Sequence, residues 1–379
     1  MNKIKLAFFT TSRSELGNMS DFIKYLKKDK RFKIYLFVGG AHFLKSFGNT
    51  FKEIKDKSIR ITKTFKFFSN KNKLNDISNQ LLIAQRELNK IFFNYDFKYV
   101  ILFGDRYELL PIVNNSILYK KKLIHFGGGE ITEGAIDNKV RNIISSIANL
   151  HFTSAEIYRK NLIKKNIKSK YLFNAGTFSN SPIKNKKENN SFLRKFNLEK
   201  NFALMTYHSA TLISLKENMR ILKNIFSFLK KKKIKVIITA PNKEIYSDKI
   251  LLEIKKNVKK DKKFFFFPSL GNNLFKFVLK KSKFIIGNSS ACVILAPFYK
   301  IPSINVGERQ TGRVMHSNVI NAKGSQNSLE KSFEKLNSSH YKNSIKNLKF
   351  KFKKNNQFLF VKNKIINYAR KNEKKISLG

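Results

Sequence analysis

Apolar segments of strand length alternate with longer amphipathic ones along the first half of the chain. KIKLAFFT, KIYLFVGG, YVILFGD and KLIHFGGGE are short runs that are apolar at nearly every position. SDFIKYLKKD and ISNQLLIAQRELNKIFFNY lie between them, each with one apolar face. Strands that are apolar throughout belong to a parallel sheet covered by helices on both faces. The rhythm stops at residues 183–191, IKNKKENNS, which are charged and carry no apolar period, so a polar break is expected there. FALMTYHS, IKVIITAPN, KFFFFPS and KFIIGNSS then resume it. The pattern predicts an α/β chain of two doubly wound, Rossmann-like domains facing a cleft. The expected boundaries are 1–180 for the N-terminal domain and 181–350 for the C-terminal one. Residues 351–379 are expected to form a basic amphipathic helix able to cross back onto the first domain.

Length and composition agree with that picture. The chain has 379 residues, 42% of them hydrophobic, which is enough for two cores at about 150 residues each. The single cysteine, Cys292, cannot form an internal disulfide, and no His/Cys cluster has zinc-ligand spacing. A reducing cytoplasm and no metal are therefore expected. The opening MNKIKLAFFTTSRSELG lacks the long apolar core and small-residue cleavage site of a signal peptide. No apolar run approaches the ~20 residues that span a bilayer.

Charge changes the picture more. Lys and Arg number 77 against 25 Asp and Glu, a formal net charge of +52. The lysines are spread through YLKKDKRFKIY, YKKKLIHF and FLKKKKIKV, a global bias that reads as solvated faces rather than as a nucleic-acid or membrane site. Scarce acids make GGGEITEGAID conspicuous, because Glu130, Glu133 and Asp137 fall close together behind three glycines.

In open parallel sheets, ligands sit at the carboxyl ends of strands. Arg13, Asp105, Glu130, His208 and Ser289 each follow a predicted strand. Asp105, Glu130 and Asp137 are candidate proton handlers, since burial raises a carboxyl pKa and facing carboxyls drive each other apart. His208 can exchange protons near neutral pH. Plainer roles exist for each: Asp105 as a helix cap, Asp137 paired with Arg141 one helical turn on, His208 as a hydrogen-bonded loop histidine. Glycines 127–129 would let the backbone approach a ligand beside Glu130. In FIIGNSSACVILAP, Asn288, Ser289 and Ser290 lead into an apolar helix whose N-terminus is either an ordinary cap or an anion cradle. GERQTGR then supplies Arg309 and Arg313, guanidinium forks suited to phosphate, and Arg13 is a third from the other domain. Together they imply a diphosphate in the cleft.

Five stretches carry a family resemblance: GDRYE at 104–108, HFGGGEITEGAIDNKVRN at 125–142, YHSAT at 207–211, GNSSACVILAP at 287–297 and NVGERQTGR at 305–313. In order and spacing they resemble the hydrolysing UDP-N-acetylglucosamine 2-epimerases of sialic-acid and related nonulosonic-acid synthesis. The resemblance implies a glycosyltransferase-B architecture and a reaction in which the C2 proton is removed, UDP leaves C1, and water adds to the resulting 2-acetamidoglucal. It implies acid/base roles for Asp105, Glu130 and Asp137, with Arg141 beside them and His208 facing the diphosphate. Arg13, Asn288, Ser289, Ser290, Arg309 and Arg313 would bind the nucleotide. It further implies a nucleotide-sugar substrate, a homo-oligomer, no cofactor, no specific nucleic-acid partner and no membrane span. Four positions depart from the family's usual pattern. Cys292 stands at a glycine, Leu295 at the glutamate that holds the ribose hydroxyls, Asn138 at an acid and Asn142 at a histidine. Loss of the ribose contacts is worth ~1–3 kcal/mol of nucleotide binding. The other functional classes open at this point are a glycosyltransferase of the same architecture and a polyanion-binding basic protein.

Overall fold

The computed structural model describes residues 3–48, 50–51, 54, 59–68, 74–178, 182–199 and 201–376. Two parallel sheets account for its strands. The first contains β1 (Ile4–Thr10), β2 (Phe32–Gly39), β3 (Lys63–Phe65), β4 (Tyr99–Phe103), β5 (Lys122–Phe126), β6 (Leu150–Thr153) and β7 (Leu172–Asn174), in the order β3-β2-β1-β4-β5-β6-β7. The second contains β8 (Phe202–Thr206), β9 (Lys235–Thr239), β10 (Phe264–Phe267), β11 (Phe284–Gly287), β12 (Ser303–Val306) and β13 (Val319–Ala322), in the order β10-β9-β8-β11-β12-β13. Each order reverses beside its first strand, between β1 and β4 and between β8 and β11. That reversal leaves a crevice at the strand ends, where ligands bind in such sheets.

Alternate residues of one strand feed opposite layers. Leu6, Phe8, Ile101 and Ile124 pack under the helix Arg13–Lys27, while Ala7, Phe9, Val100 and Leu123 pack under the helices Leu74–Asn94 and Leu110–Leu118. This is why the strands read as continuous apolar runs: neither face meets water. Phe8 and Phe9 are both fully buried, each contributing ~1.5–3 kcal/mol of transfer free energy.

The polar stretch at 183–191 is not simply a break. Most of it belongs to the helix Lys186–Lys195, whose polar surface is exposed while Asn189 and Leu193 are buried. The helix's apolar anchors, Phe192 and Leu193, follow the stretch, so 183–191 showed no period of its own. The boundary expected at 180/181 lies outside the described residues. Helix Gln357–Ile376 places Val361, Ile365, Ile366 and Ala369 in the same apolar cluster as Phe8 and Phe22 of the first domain. Among the described residues no helix is long and apolar enough to cross a membrane.

Candidate active site

The carboxyl ends of both sheets enclose a cavity of about 300 Å³ lined by residues of the two domains. From β4 the chain turns at Gly104, with φ +93°, and presents Asp105. Its Oδ2 accepts a hydrogen bond from Nη2 of Arg141, a side chain with no exposed surface in the helix Asp137–Ile147. Nη1 of Arg141 also donates to the Glu130 carbonyl at 2.8 Å and to Thr132 Oγ1 at 3.0 Å. Asn138 Oδ1 lies 3.3 Å from the same nitrogen and accepts from the Thr132 amide, so this departure from the family pattern still serves the arginine. Arg141 thus ties the strand end carrying Asp105 to the loop carrying Glu130. Asp137 pairs elsewhere: its Oδ2 lies 3.4 Å from Arg309 Nη2.

The two aspartates are driven in opposite directions. Burial alone would raise Asp105, but Arg141, Arg313 and Arg309 together hold it below its ordinary value. Asp137 is raised to about 7, first by burial and then by the charge of Asp105, with Arg309 opposing. At neutral pH Asp105 is therefore ionised while Asp137 is poised near half protonation, the kind of split that separate base and acid roles use. Glu130 is held by Ser154 Oγ at 2.7 Å and by Arg313 Nη2 of the second domain at 2.9 Å. Glu133 is exposed and lines no part of the cavity.

Glycines 127–129 do less for a ligand than their pattern suggested. A Cβ on Gly129 would sit 2.1 Å from the Tyr158 carbonyl, and one on Gly128 would sit 2.8 Å from Ser145 Oγ. Both make room for the protein's own chain. Only Gly127 of the three lines the cavity, with nothing nearer than 3.9 Å to a Cβ there.

The second domain supplies donors. His208 is buried, and its Nδ1 accepts the Asn242 amide at 2.9 Å, which leaves the proton on Nε2. Burial, then the charges of Arg309, Arg13 and Arg106, push its pKa well below the usual histidine value, so the ring is neutral. Asn288 gives its side chain to His208: Oδ1 accepts the His208 amide at 2.7 Å and Nδ2 donates to its carbonyl at 2.8 Å. Arg313 is paired only through Nη2, its Nε and Nη1 being buried and without a hydrogen-bond partner among the described residues. Arg13 lines the cavity but grips main chain of the other domain, donating to the Pro268 carbonyl at 2.8 Å and the Ala240 carbonyl at 2.6 Å.

The apolar helix expected after Ser289 is two single turns, Ser290–Val293 and Leu295–Phe298, rather than one helix with an additive dipole. Pro297 has no amide to offer the carbonyl of Val293, which stops the run. Ser289 caps the first turn through its Oγ, 3.3 Å from the Ala291 amide. Ser290 and Leu295 line the cavity, whereas Cys292 is fully buried with its thiol pushed up to about 12 by burial.

Sequence reasoning missed a clasp behind the cavity. Arg106 donates from Nε to Glu108 Oε1 at 2.6 Å, from Nη1 to Glu244 Oε1 at 2.9 Å, and from Nη2 to the Lys243 carbonyl at 2.6 Å. Glu244 Oε1 also lies 3.2 Å from Arg309 Nη2. An apolar wall went unread too: Phe103, Phe126, Phe152 and Phe178 line the cavity, with rings 4.2 Å apart for Phe103 and Phe126 and 4.8 Å for Phe126 and Phe152. The phenylalanines at the ends of β4, β5 and β6 belong to the core cluster of the first domain and line the cavity as well.

Two parallel-sheet domains closing on opposed carboxyls and guanidiniums define an enzyme of the glycosyltransferase-B architecture. Residues 24–357 match the family model of UDP-N-acetylglucosamine 2-epimerase, and the chain belongs to that family. It is 33% identical to the GDP/UDP-N,N'-diacetylbacillosamine 2-epimerase (hydrolyzing) of Campylobacter jejuni, over 90% of each chain. It is 29% identical to the polysialic acid biosynthesis protein P7 of Escherichia coli, over 86% of this chain and 84% of that one. In fold it is similar to the Methanocaldococcus jannaschii UDP-GlcNAc 2-epimerase, solved with UDP-GlcNAc and UDP. The TM-score is 0.80 at 19% identity, over 96% of this chain and 99% of that one.

Proposed function

We propose that the chain is a hydrolysing 2-epimerase of a nucleoside-diphosphate-linked 2-acetamido sugar. The observation that carries this reading is the pairing of a depressed Asp105 with a raised Asp137 beside the partnerless N–H groups of Arg313. Ionised Asp105 takes the C2 proton. The C2–H pair becomes the C1=C2 bond, and the C1–O pair leaves with the diphosphate. Arg313, Arg309, the Nε2–H of His208 and the hydroxyls of Ser289 and Ser290 receive that charge, a stabilisation that matters most in a water-poor cleft. Protonated Asp137 then gives a proton to C2 while water adds at C1 and passes its own proton to Glu130; loss of the protons held by Asp105 and Glu130 to solvent, and recovery of one at Asp137, resets the site. The product is the free 2-epimer with its nucleoside diphosphate. Arg141 and Asn288 hold these groups in place, and Arg13 closes the nucleotide end by gripping the main chain across the cleft.

For the sugar, the reading favours N,N'-diacetylbacillosamine over N-acetylglucosamine. The four-phenylalanine wall suits a 6-methyl and a second acetamido methyl better than two hydroxyls, and the Campylobacter relative's name carries that sugar. Its product would feed synthesis of nonulosonic acids of the sialic type. The buried single thiol suits a reducing cytoplasm. Exposed Leu82, Phe93, Ile117 and Leu118 on neighbouring helices support a homo-oligomer.

Incubation with UDP-N-acetylglucosamine, UDP-N,N'-diacetylbacillosamine and GDP-N,N'-diacetylbacillosamine in deuterated water tests all of this. We expect a free 2-epimer with deuterium at C2, fastest from a diacetamido substrate. Protium at C2, or transfer to an acceptor in place of water, would return the reading to a glycosyltransferase.

A further inference from the structure

The loop that leaves β9, Ala240 to Glu244, reaches four functional side chains at once. The Ala240 carbonyl accepts from Arg13, the Asn242 amide donates to His208, the Lys243 carbonyl accepts from Arg106, and the Glu244 carboxylate meets both Arg106 and Arg309. Glu244 is 3% exposed yet does not line the cavity, so it acts through its neighbours. Arg309 Nη2 stands between two acids, 3.2 Å from Glu244 and 3.4 Å from Asp137. Arg106 comes from the first domain, so its bond to Glu244 joins the two walls of the cleft.

We propose that Glu244 is a positioning residue that shares Arg309 with Asp137 across the closed cleft, so that a diphosphate drawing Arg309 away leaves Asp137 as a proton-bearing acid. The proposal rests on Asp137 being a proton handler of the 2-epimerase. The charges facing Asp137 are Asp105 and Arg106 from the loop after β4, Arg309 from the loop after β12 and Glu244 from the loop after β9, with Arg141 on its own helix. Glu108 balances part of Arg106. Of these, Glu244 and Asp105 favour the protonated acid, and Arg309 and Arg106 oppose it. Arg309 is the member a diphosphate can claim. Once it turns to phosphate, its pull on Asp137 weakens while Glu244, still held by Arg106, keeps its charge nearby. Substrate arrival then keeps Asp137 in the protonated form that the step needs. A cleft open at Arg106 and Glu244 would lack that arrangement, so the proton would be set only on closure.

The test compares the pH profile of kcat/KM for the wild type with those of Glu244→Gln and Glu244→Asp. Removing the charge should move the alkaline limb down by about one pH unit, a roughly tenfold loss near pH 8 that shrinks to about twofold near pH 6. Glu244→Asp keeps the charge and should restore most of the wild-type profile. A second measurement needs no variant of Glu244: titration calorimetry of UDP binding in buffers of different ionisation enthalpy near pH 8. We expect the wild type to take up a fraction of a proton there, and Asp137→Asn to lose that uptake. Superimposable pH profiles with a uniform fall in rate, or binding of UDP without proton uptake, would overturn the proposal while leaving the 2-epimerase reading intact. A wild type that forms no 2-epimer from any of the sugars would overturn both.

Discussion

The two walls of the cleft are built to different standards of completion. On the first-domain wall, the acids are already engaged: Asp105 by Arg141, Glu130 by Ser154 and Arg313, Asp137 by Arg309. On the second-domain wall, Arg313 keeps two buried N–H groups without partners, and Leu295 offers nothing to a ribose. Proton transfer needs groups held before the substrate arrives, because a misplaced base loses its rate advantage steeply. Charge neutralisation needs donors still available for an incoming anion. The contrast follows from the work each wall does.

The strongest way to break the comparison is to neutralise the first wall. Asp105→Asn keeps the shape but cannot accept the proton, so we expect turnover to fall by about a thousandfold or more. UDP affinity, measured by calorimetry, should stay near wild type. Glu130→Gln should behave alike; near-normal turnover in either would remove that residue from the proton-handling set. Arg313→Ala attacks the second wall, and there we expect UDP affinity to weaken by roughly 10- to 100-fold, the worth of one or two charged hydrogen bonds. If affinity held and only turnover fell, Arg313 would be an orienter of Glu130 and not a phosphate ligand.

Acidity sharpens the comparison further. With Asp105 ionised and Asp137 protonated in the working form, kcat/KM should decline about tenfold per unit as pH rises above about 7, where Asp137 loses its proton. Stability follows the same sign. The folded pKa of Asp137 lies above its unfolded value, so the native state binds more protons between the two, and this contribution is lost as pH rises through about 7. Asp137→Asn should flatten the pH dependence of the melting temperature in that window. The smallest effect concerns the ribose. Leu295→Glu should tighten UDP binding about tenfold, or ~1.4 kcal/mol. Unchanged or weaker affinity would mean that the second wall is shaped for a different nucleotide, for which the GDP-linked sugar is the first to try.

How much of this was legible beforehand depended on whether a signal was local. Fully apolar strands and the residues after them showed the sheets, and Asp105, Glu130, Asp137, His208 and Arg313 all reached one cavity because strand ends converge. Nothing local marks Glu244. It meets Arg106 across 138 positions, and in the sequence it is one acid among lysines. Glycines 128 and 129 misled for a related reason, since a glycine does not say whether the atom it admits belongs to a ligand or to the Tyr158 carbonyl. The one-turn helices after Ser289 did have a local mark, since Pro297 stands inside the apolar run and cannot continue its hydrogen bonding.

The position of the last helix has a consequence for how the protein is made. The Phe358 ring packs at a tilt, with centroids 5.4 to 5.6 Å from those of Phe22, Tyr25 and Phe178, and Val361, Ile365 and Ile366 complete the cluster that holds Phe8. A ribosome that has finished the first sheet must still translate the whole second domain before those residues exist. At bacterial or eukaryotic elongation rates the wait is roughly ten to forty seconds. During it, the faces of Phe22, Tyr25 and Phe178 that Phe358 covers are left open. Nascent chains halted before residue 357 should be cut by protease within the first domain, and chains released at full length should resist.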